Sequence, residues 1–385
     1  MIQKADRLHN VEEYYFSKKL REVAGLMAKG KPVINIAIGS PDLQPPLNVI
    51  EALKDTMQLE IAHKYQSYQG IPELRSEISN FYKNNYDVAL DATSEILPLM
   101  GSKEGIMHIS LAFLNKGDKV LIPNPGYPTY TSVTKLVEAE PVFYNLTQQQ
   151  NWLPNFEELE KEDLSKVKIM WVNYPHMPTG AVASKSDFEQ LVAFAKKHHI
   201  LLVNDNPYSF ILNNNPQSIL AVEGAKEVAI ELNSLSKTFN MAGWRVGMVV
   251  GDAEIINTIL KVKSNMDSGM FLGIQKGAVE ALKLSTSWFD SQDEIYKKRR
   301  TIVWEIFDAL KCTYDTAIGG LFVWAKLPEG LKSEEFTDAL LYEKDVFITP
   351  GTVFGSNGEG YIRASLCVSS TILEEVLSRL ITVKS

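Results

Sequence analysis

The chain has 385 residues, of which 45% are apolar and 22% are charged. These values are typical of globular proteins and exclude long disorder and a fibrous fold, while the length predicts two or three domains. Lys and Arg number 39 against 47 Asp and Glu, which gives a formal net charge of −8. We therefore expect neither nucleic acid nor a membrane as a partner.

The two cysteines, Cys312 and Cys367, are too few for a disulfide framework and form no CxxC pair. Residues 1–16 lack the basic and apolar regions of a secretion signal. No apolar run approaches the roughly 18 residues that span a bilayer. The sequence thus predicts a cytoplasmic protein without a metal site.

Between about residues 96 and 251, short apolar runs rich in β-branched residues alternate with helix-length amphipathic segments. This alternation predicts an α/β fold: repeated βα units around a mostly parallel central sheet, with helices on both faces. Helices are expected at 102–115 and at 184–199, the latter with Ser184 as its N-cap. The predicted strands are 119–123, 168–173, 200–205, 228–232 and 246–250.

Beyond about residue 275 the pattern changes to long helical stretches followed by strand-like runs, at 275–284, 292–310, 321–325 and 361–366. This change predicts a smaller α+β domain, with which the first 45 residues are expected to pack. We therefore predict a large domain at 46–275 and a small domain formed by 1–45 and 276–385.

Polar residues follow three predicted strands at their carboxyl ends, where open parallel sheets bind ligands. Lys237 comes directly after one such strand. An amine that is partly desolvated beside cations has a lowered pKa and can form a Schiff base. The SxSK pattern alone is more often a surface lysine in a polar loop.

Asp205 ends another strand, where a buried carboxylate needs a cationic or donor partner. If that partner is a ring nitrogen, an ion pair at ~4 Å is worth about 4 kcal/mol and keeps a pyridine protonated. A turn or N-cap aspartate is the commoner explanation of a lone Asp. Gly101 and Ser102 open a predicted helix that favours a phosphate, to which Ser234 and Arg245 could add donors. Taken one at a time, Gly101 and Ser102 are explained by helix capping and Arg245 by a surface salt bridge.

Taken together, these residues resemble a known family. The order and spacing of the motifs are similar to those of the fold-type-I pyridoxal-phosphate enzymes, specifically the class I/II aminotransferases, from about residue 33 to 370. Within that family, the loops at 101–106 and 263–271 are most similar to the LL-diaminopimelate and aspartate aminotransferase-like branches. The motifs that carry the resemblance are Gly101-Ser-Lys103, Pro125-Gly-Tyr127, Pro178-Thr-Gly180, Asp205-Asn-Pro-Tyr208, Ser234-Leu-Ser-Lys237, Arg245 and Arg363.

The resemblance implies a role for each residue of a cofactor site. Lys237 would hold pyridoxal 5'-phosphate as an aldimine and then shuttle the proton of the substrate Cα. Asp205 would pair with the pyridinium nitrogen, Tyr127 would stack on the ring, and Tyr208 would donate to the phenolate oxygen. The residues that would hold the phosphate are Gly101, Ser102, Lys103 through its backbone, Ser234 and Arg245.

The resemblance also implies how substrate and a second subunit take part. Arg363 would bind the substrate α-carboxylate, helped by the Gly39 backbone. Tyr65 matches the family tyrosine that reaches the phosphate of the neighbouring subunit, which implies a homodimer with a shared active site. From the sequence alone, Tyr65 would be an ordinary half-buried aromatic residue.

One position departs from the family pattern. Met177 stands where the family usually has the Asn of Asn-Pro-Thr-Gly, and a thioether cannot donate a hydrogen bond to the phenolate oxygen. The loss costs about 1.5 to 3 kcal/mol unless Asn173 or a water substitutes, and it is expected to raise the pKa of the cofactor imine. The neighbouring His176 is expected to be a packed loop histidine.

The sequence therefore predicts an aminotransferase that moves an amino group from an L-amino acid to a 2-oxo acid in two half-reactions at one site. A carbon–sulfur β-lyase, which uses the same lysine and cofactor, is the alternative. A non-catalytic binding module with a relic site is a third reading. The preferred donor and acceptor stay open.

Overall fold

The computed structural model describes residues 2–11, 13 and 15–381. The strands, in chain order, are β1 (Ile34–Asn35), β2 (Ile96–Leu99), β3 (Lys119–Asn124), β4 (Glu140–Asn145), β5 (Val167–Val172), β6 (Leu201–Asp205), β7 (Ala229–Ser234), β8 (Gly247–Gly251), β9 (Thr313–Tyr314), β10 (Phe322–Lys326), β11 (Val346–Phe347), β12 (Thr349–Pro350) and β13 (Tyr361–Ser365). The α-helices, in chain order, are α1 (Tyr15–Ala28), α2 (Leu47–Met57), α3 (Pro72–Tyr86), α4 (Ser102–Phe113), α5 (Pro128–Leu136), α6 (Phe156–Leu159), α7 (Lys185–His198), α8 (Leu235–Thr238), α9 (Ala253–Lys263), α10 (Leu272–Leu282), α11 (Thr286–Ala309), α12 (Ser333–Lys344) and α13 (Ser370–Ile381).

The central sheet has seven strands in the order β2-β8-β7-β6-β5-β3-β4. From β7 to β4 every neighbouring pair is parallel, whereas β8 runs antiparallel to both β2 and β7. The mostly parallel sheet predicted from the βα alternation is therefore confirmed. The direction of β8 could not be predicted, because an apolar run does not show which way its strand points.

Helices cover both faces of this sheet because successive residues of a strand point to opposite sides. Leu202 belongs to an apolar layer that includes Phe188 of α7. Its neighbour Val203 belongs to a second layer that includes Ile109 of α4. The inner strands β6, β7 and β8 are buried on both sides, which explains their continuous apolar runs.

The C-terminal part contains a smaller antiparallel sheet in the order β12-β13-β10-β9. The N-terminal strand β1 pairs in parallel with β11, and the Ser365 N–H donates to the Ile36 carbonyl at 2.8 Å. These contacts tie residues 34–36 to the C-terminal part of the chain. The predicted domain boundary after residue 275 falls within α10, and the domain limits stay a prediction.

An ion pair between a buried arginine and a partly exposed aspartate fixes the loop that follows β1. Arg299 of α11 is 4% exposed and contacts the two carboxylate oxygens of Asp42 at 2.6 and 2.9 Å. The same guanidinium donates to the Leu366 carbonyl at 3.0 Å. A two-pronged contact of this kind constrains orientation as well as distance. Gly39, three residues before Asp42, is thereby held near the end of β13.

Cys312 and Cys367 are buried free thiols. In the described part of the chain, no helix combines the length and the apolar character that a bilayer crossing requires. The cytoplasmic location stays a prediction.

Ser184 caps α7 as the sequence predicts. Its Oγ accepts from the Asp187 N–H at 3.3 Å, and Asp187 accepts from the Ser184 N–H at 2.8 Å, which completes a capping box. Ser184→Ala should lower the free energy of unfolding by about 1 kcal/mol in urea titrations. Ser186→Ala, the same change at an exposed position of the first turn, should alter it by less than about 0.5 kcal/mol. Equal losses would contradict the capping role.

Candidate active site

A cavity of about 640 Å³ lies beyond the carboxyl ends of β5, β6 and β7. Loops after parallel strands meet at this edge of the sheet, so residues far apart in sequence come together. Most residues singled out in the sequence line this cavity: Gly39, Ser102, Lys103, Tyr127, Asn173, Asp205, Tyr208, Ser234, Lys237, Arg245 and Arg363. Gly101 lies beside it as the N-cap of α4, whereas Tyr65 lies elsewhere.

Lys237 lies in the short helix α8, directly after β7. The Ser234 hydroxyl caps this turn by accepting from the Ser236 N–H at 3.1 Å. The Lys237 amine donates to the Gly39 carbonyl. Burial lowers the pKa of Lys237, and the charges of Arg363 and Arg245 lower it further. A larger fraction of the amine is therefore neutral and nucleophilic than for an exposed lysine.

Asp205 ends β6 with its side chain 5% exposed. Its Oδ2 accepts from the Tyr130 hydroxyl at 2.9 Å, while Oδ1 has no hydrogen-bond partner among the described residues. Burial raises the pKa of Asp205 to about 6, although the bond from Tyr130 opposes the shift. The charge of Glu231, on the adjacent strand β7, adds to the increase. A buried carboxylate with an unmatched oxygen is the kind of group that a cationic ligand stabilises.

Sequence reasoning missed Tyr130, the residue that orients Asp205. Its ring stacks on Trp171, with centroids 4.8 Å apart and an angle of 7° between the planes. A signal was present, since Tyr127 and Tyr130 are three residues apart at the start of α5 and lie on one side of the helix. Only the three-dimensional fold shows which of the two contacts the carboxylate.

The start of α4 and Arg245 form an anion cradle. Gly101 has φ +86°, and a Cβ at this position would collide with the Arg245 guanidinium. A Cβ at Gly247 would lie 2.6 Å from the Ser102 backbone nitrogen. Burial lowers the pKa of Lys103, and nearby Arg245 contributes. Two cations and the N-terminus of a helix at one place favour a bound anion such as phosphate.

Arg363 lies on β13 and is 4% exposed. Its Cζ is 3.8 Å from the ring centre of Phe322 and 4.6 Å from that of Phe354. Its Nη2 donates to the Ala37 carbonyl at 2.8 Å, and its Nη1 is 3.2 Å from Sδ of Met177. The guanidinium is therefore held in one orientation and is available to bind a carboxylate in a two-pronged manner.

The segment after β5 brings Asn173 and Met177 to the cavity. The Asn173 amide donates to the Asp205 carbonyl and accepts from the Met177 N–H at 2.7 Å. It thus joins two backbone segments and keeps one further N–H to donate. His176 is packed as predicted: its Nδ1 lies 2.8 Å from the Thr179 hydroxyl, and burial lowers its pKa to about 3, so the ring is neutral.

The two remaining predicted tyrosines at the cavity are aromatic wall residues. Tyr208 is 9% exposed and packs edge-on against Phe322, with centroids 5.9 Å apart. Burial raises the pKa of Tyr208, so its hydroxyl keeps its proton. Tyr127 packs edge-on against Tyr130. Tyr65 is 91% exposed and does not line this cavity.

Three potential metal ligands, Glu104, His108 and Asp267, come together outside the cavity lining. The Lys263 ammonium contacts both carboxylate oxygens of Asp267 at 2.8 Å. His108 contacts Glu104 at 2.7 Å. The Lys263 ammonium already neutralises Asp267 in this cluster, so we assign no metal ion to it.

Comparison with known proteins agrees with this geometry. Residues 31–380 match the family model of the class I and II aminotransferases. A protein of Maridesulfovibrio salexigens named LL-diaminopimelate aminotransferase is 42% identical over 379 residues, which cover 98% of each chain. The apo structure of BacF from Bacillus subtilis is 35% identical, with a TM-score of 0.95 over 99% of this chain and 98% of that one. A single mutant of Thermus thermophilus aspartate aminotransferase is 25% identical, with a TM-score of 0.91 over 98% and 99%.

The resemblance found in the motifs is therefore confirmed over nearly the whole length of the chain. The shared fold is the fold-type-I architecture, which agrees with the mostly parallel sheet described above. A match of this extent, together with a lysine and a carboxylate at one cavity, leaves one conclusion: the chain belongs to the class I and II aminotransferases, a family of pyridoxal-phosphate enzymes.

Proposed function

We propose that the cavity binds pyridoxal phosphate. We also propose that the predicted residues that line it act in transamination between an L-amino acid and a 2-oxo acid. One observation carries the proposal. Asp205, a buried carboxylate whose Oδ1 has no partner, lines the same cavity as Lys237. A protonated ring nitrogen is the donor that suits such an oxygen, and an aldehyde is the group that suits such an amine.

The anion cradle fits the remaining charged part of the cofactor. A phosphate at the start of α4 would accept from helix N–H groups and from Arg245, beside the hydroxyls of Ser102 and Ser234. This set supplies several donors at once, as a dianion requires. Tyr127 and Tyr208 would contact the ring and its phenolate oxygen, while Asn173 keeps an N–H for that oxygen.

Bound pyridoxal phosphate supplies an aldehyde that accepts amino groups and a ring that withdraws electrons from the substrate Cα. Lys237 would hold the cofactor through Nζ, because its lowered pKa leaves more of the amine neutral than in an exposed lysine. Once free, the same Nζ can take the proton from Cα of a bound amino acid and return one during the reverse step. Its contact with the Gly39 carbonyl keeps the amine beside the substrate-binding segment.

Arg363 would bind the α-carboxylate of each substrate. Its guanidinium is already oriented by the Phe322 and Phe354 rings, so little orientational entropy is lost on binding. Because both half-reactions need this one group, the first 2-oxo acid must leave before the second can bind. We therefore expect ping-pong kinetics, in which the amino group stays in the site after the first 2-oxo acid leaves and before the second one binds.

Replacing Lys237 tests the proposed anchor. The wild-type protein should become coloured with pyridoxal phosphate, and borohydride should fix the cofactor on the peptide that contains Lys237. Lys237→Ala should lose both the fixation and at least about 10³-fold in kcat, because it removes nucleophile and base together. Lys298→Ala, on the solvent-exposed part of α11, is the control and should behave like wild type.

The same preparation decides between transaminase and β-lyase. Pyruvate and ammonia released from L-cystathionine without an added 2-oxo acid would support the lyase. A requirement for the 2-oxo acid supports the transaminase. Fixation at another lysine would contradict the proposed anchor.

The raised pKa of Asp205 predicts how stability depends on pH in the cofactor-free protein. The pKa is about 6 in the folded state against a usual 3.8, so the folded state holds the proton more tightly. That contribution to stability is complete below pH 3.8 and is lost as the pH rises through 6, by up to about 3 kcal/mol. Asp205→Asn keeps an acceptor for Tyr130 and should therefore be more stable than wild type at pH 8, with a difference that shrinks toward pH 4.

Urea titrations of both proteins across this range measure the effect. Asp163→Asn is the matched control, because bonds from Ser165 lower the pKa of Asp163 and should give the opposite pH trend. Saturating pyridoxal phosphate should reverse the order of wild type and Asp205→Asn at pH 8. An Asp205→Asn protein that is less stable at every pH without cofactor would contradict this account.

We further propose a homodimer in which Tyr65 of each subunit reaches the site of the other. Tyr65 is 91% exposed and lies among exposed apolar side chains that a monomer would leave in water. The Gly269 turn packs closely on the backbone of Gln66 and Ser67, which brings the adjacent Met266, 60% exposed, to the same surface. The other exposed apolar residues of this stretch are Met57, Leu59, Ile61 and Tyr68.

Mixed dimers test the shared site. A subunit with Tyr65→Ala paired with a subunit with Lys237→Ala should contain one intact site, because the intact lysine meets the intact tyrosine of its partner. The isolated mixed dimer should thus recover up to half of the wild-type activity, well above either variant alone. Recovery should not occur if Tyr65 acts within its own subunit. Tyr68→Ala, with 44% exposure, is the control for loss of surface apolar area.

A further inference from the structure

The part of the cavity around Arg363 has apolar walls. The rings of Phe322 and Phe354 lie 3.8 and 4.6 Å from the Cζ of Arg363, and Met177 contacts the guanidinium through its sulfur. Phe16 of α1 adds a third ring at 5.9 Å. An amino acid whose carboxylate binds Arg363 must therefore place its side chain among aromatic and aliphatic groups.

The cations that line the cavity, among the described residues, are Lys103, Lys237, Arg245 and Arg363. The proposed function assigns each of them. Lys103 and Arg245 lie at the phosphate cradle, Lys237 holds the cofactor, and Arg363 binds the α-carboxylate. A second carboxylate on the substrate would have no cation of its own within these walls.

The carboxylates that line the cavity lead to the matching conclusion for a substrate with a side-chain ammonium: among the described residues, no unassigned carboxylate is left to bind it. Of the described Asp and Glu side chains, Asp205 alone lines the cavity, and it is assigned to the ring nitrogen. A positively charged side-chain end would therefore be desolvated without an opposite charge. Burying such a group without a partner is strongly unfavourable.

The segments that the proposed dimer would bring to the site do not supply the missing charges. Between residues 59 and 71 the Lys, Arg, Asp and Glu residues are Lys64 and Glu60, which pair with each other at 3.7 Å and together carry no net charge. Residues 264–275 contain neither Lys nor Arg. Their single carboxylate, that of Asp267, is bound by Lys263.

Resting on the proposed function, we infer that the amino acid taken by this site has an uncharged, apolar side chain. LL-diaminopimelate, which gives its name to the relative at 42% identity, carries an ammonium and a carboxylate at its far end. Both groups would be buried between apolar walls without a partner of opposite charge, which is unfavourable. An aliphatic or aromatic side chain would be stabilised there, because it leaves contact with water. The apolar walls thus select a substrate different from the one in that name.

The wild-type holoenzyme gives the first test. The half-reaction of the cofactor-loaded protein should be followed with L-phenylalanine, L-leucine and L-methionine, and then with LL-diaminopimelate, L-aspartate and L-glutamate. The apolar set should exceed the charged set in kcat/KM by about 100-fold or more, since unpartnered polar ends are rejected more strongly than small changes of size. A charged amino acid that equals the apolar set would overturn the inference.

Two side chains of α1 that line the cavity give matched variants. Ser17 is exposed, and Ser17→Arg places a cation beside the apolar wall, while Ser17→Gln adds similar bulk without charge. Ser17→Arg should raise kcat/KM for L-glutamate relative to Ser17→Gln on the order of tenfold and lower the ratio of L-leucine to L-glutamate accordingly. Leu20→Ala should lower the ratio of kcat/KM for L-leucine to that for L-alanine by several-fold, because it removes part of the wall.

The outcomes separate this inference from the proposed function. If cofactor is fixed at Lys237 and LL-diaminopimelate is the best donor, the proposed function stands and the apolar assignment is wrong. If Leu20→Ala leaves the leucine-to-alanine ratio unchanged, the wall does not contact the side chain and the inference is also wrong. If no amino acid converts the loaded cofactor, the proposed function and the inference fall together.

Discussion

The burial of one carboxylate at the end of β6 governs the candidate site. Asp205 has little contact with water and, among the described residues, a single hydroxyl donor, Tyr130, which leaves one of its two carboxylate oxygens without a partner. Such a group costs stability in the protein alone, which its raised pKa reflects. Proteins tolerate this cost where binding a ligand offsets it. The roles proposed for the lysine, the anion cradle and the arginine all depend on a ligand that binds this unmatched oxygen.

The sheet topology explains why these groups meet. Asp205 and Lys237 follow adjacent parallel strands, so both side chains lie at the same edge although 32 positions separate them in the sequence. Arg363 comes from the separate antiparallel sheet, and Gly39 from the segment that β1 and the Asp42–Arg299 ion pair hold in place. The cavity is thus assembled from the central sheet, the antiparallel sheet and the segment after β1, and under the proposed function the first would hold the cofactor while the other two would hold the substrate.

Much of this arrangement could be predicted from the sequence, because it depends on local patterns. Apolar runs followed by polar turns located the strand ends of Asp205 and Lys237, and Ser184 marked the start of α7. Tyr130 could not be predicted as the partner of Asp205, because that contact depends on how α5 crosses the end of β6. The contact of Met177 with Arg363 joins residues 186 positions apart, one in the loop after β5 and the other on β13, and no local pattern encodes it.

The fixed guanidinium of Arg363 has a consequence for chirality under the proposed function. A substrate carboxylate bound by this guanidinium, which lies against the Phe322 and Phe354 rings, could not rotate freely, and the Lys237 amine would lie on one defined side, near Gly39. With the carboxylate, the amino group and the side chain each given a separate place by the proposal, the fourth substituent of Cα would have a single direction left. Only one mirror image of an amino acid would then point its hydrogen at the amine, so handedness would follow from rigid placement and would require no residue dedicated to it.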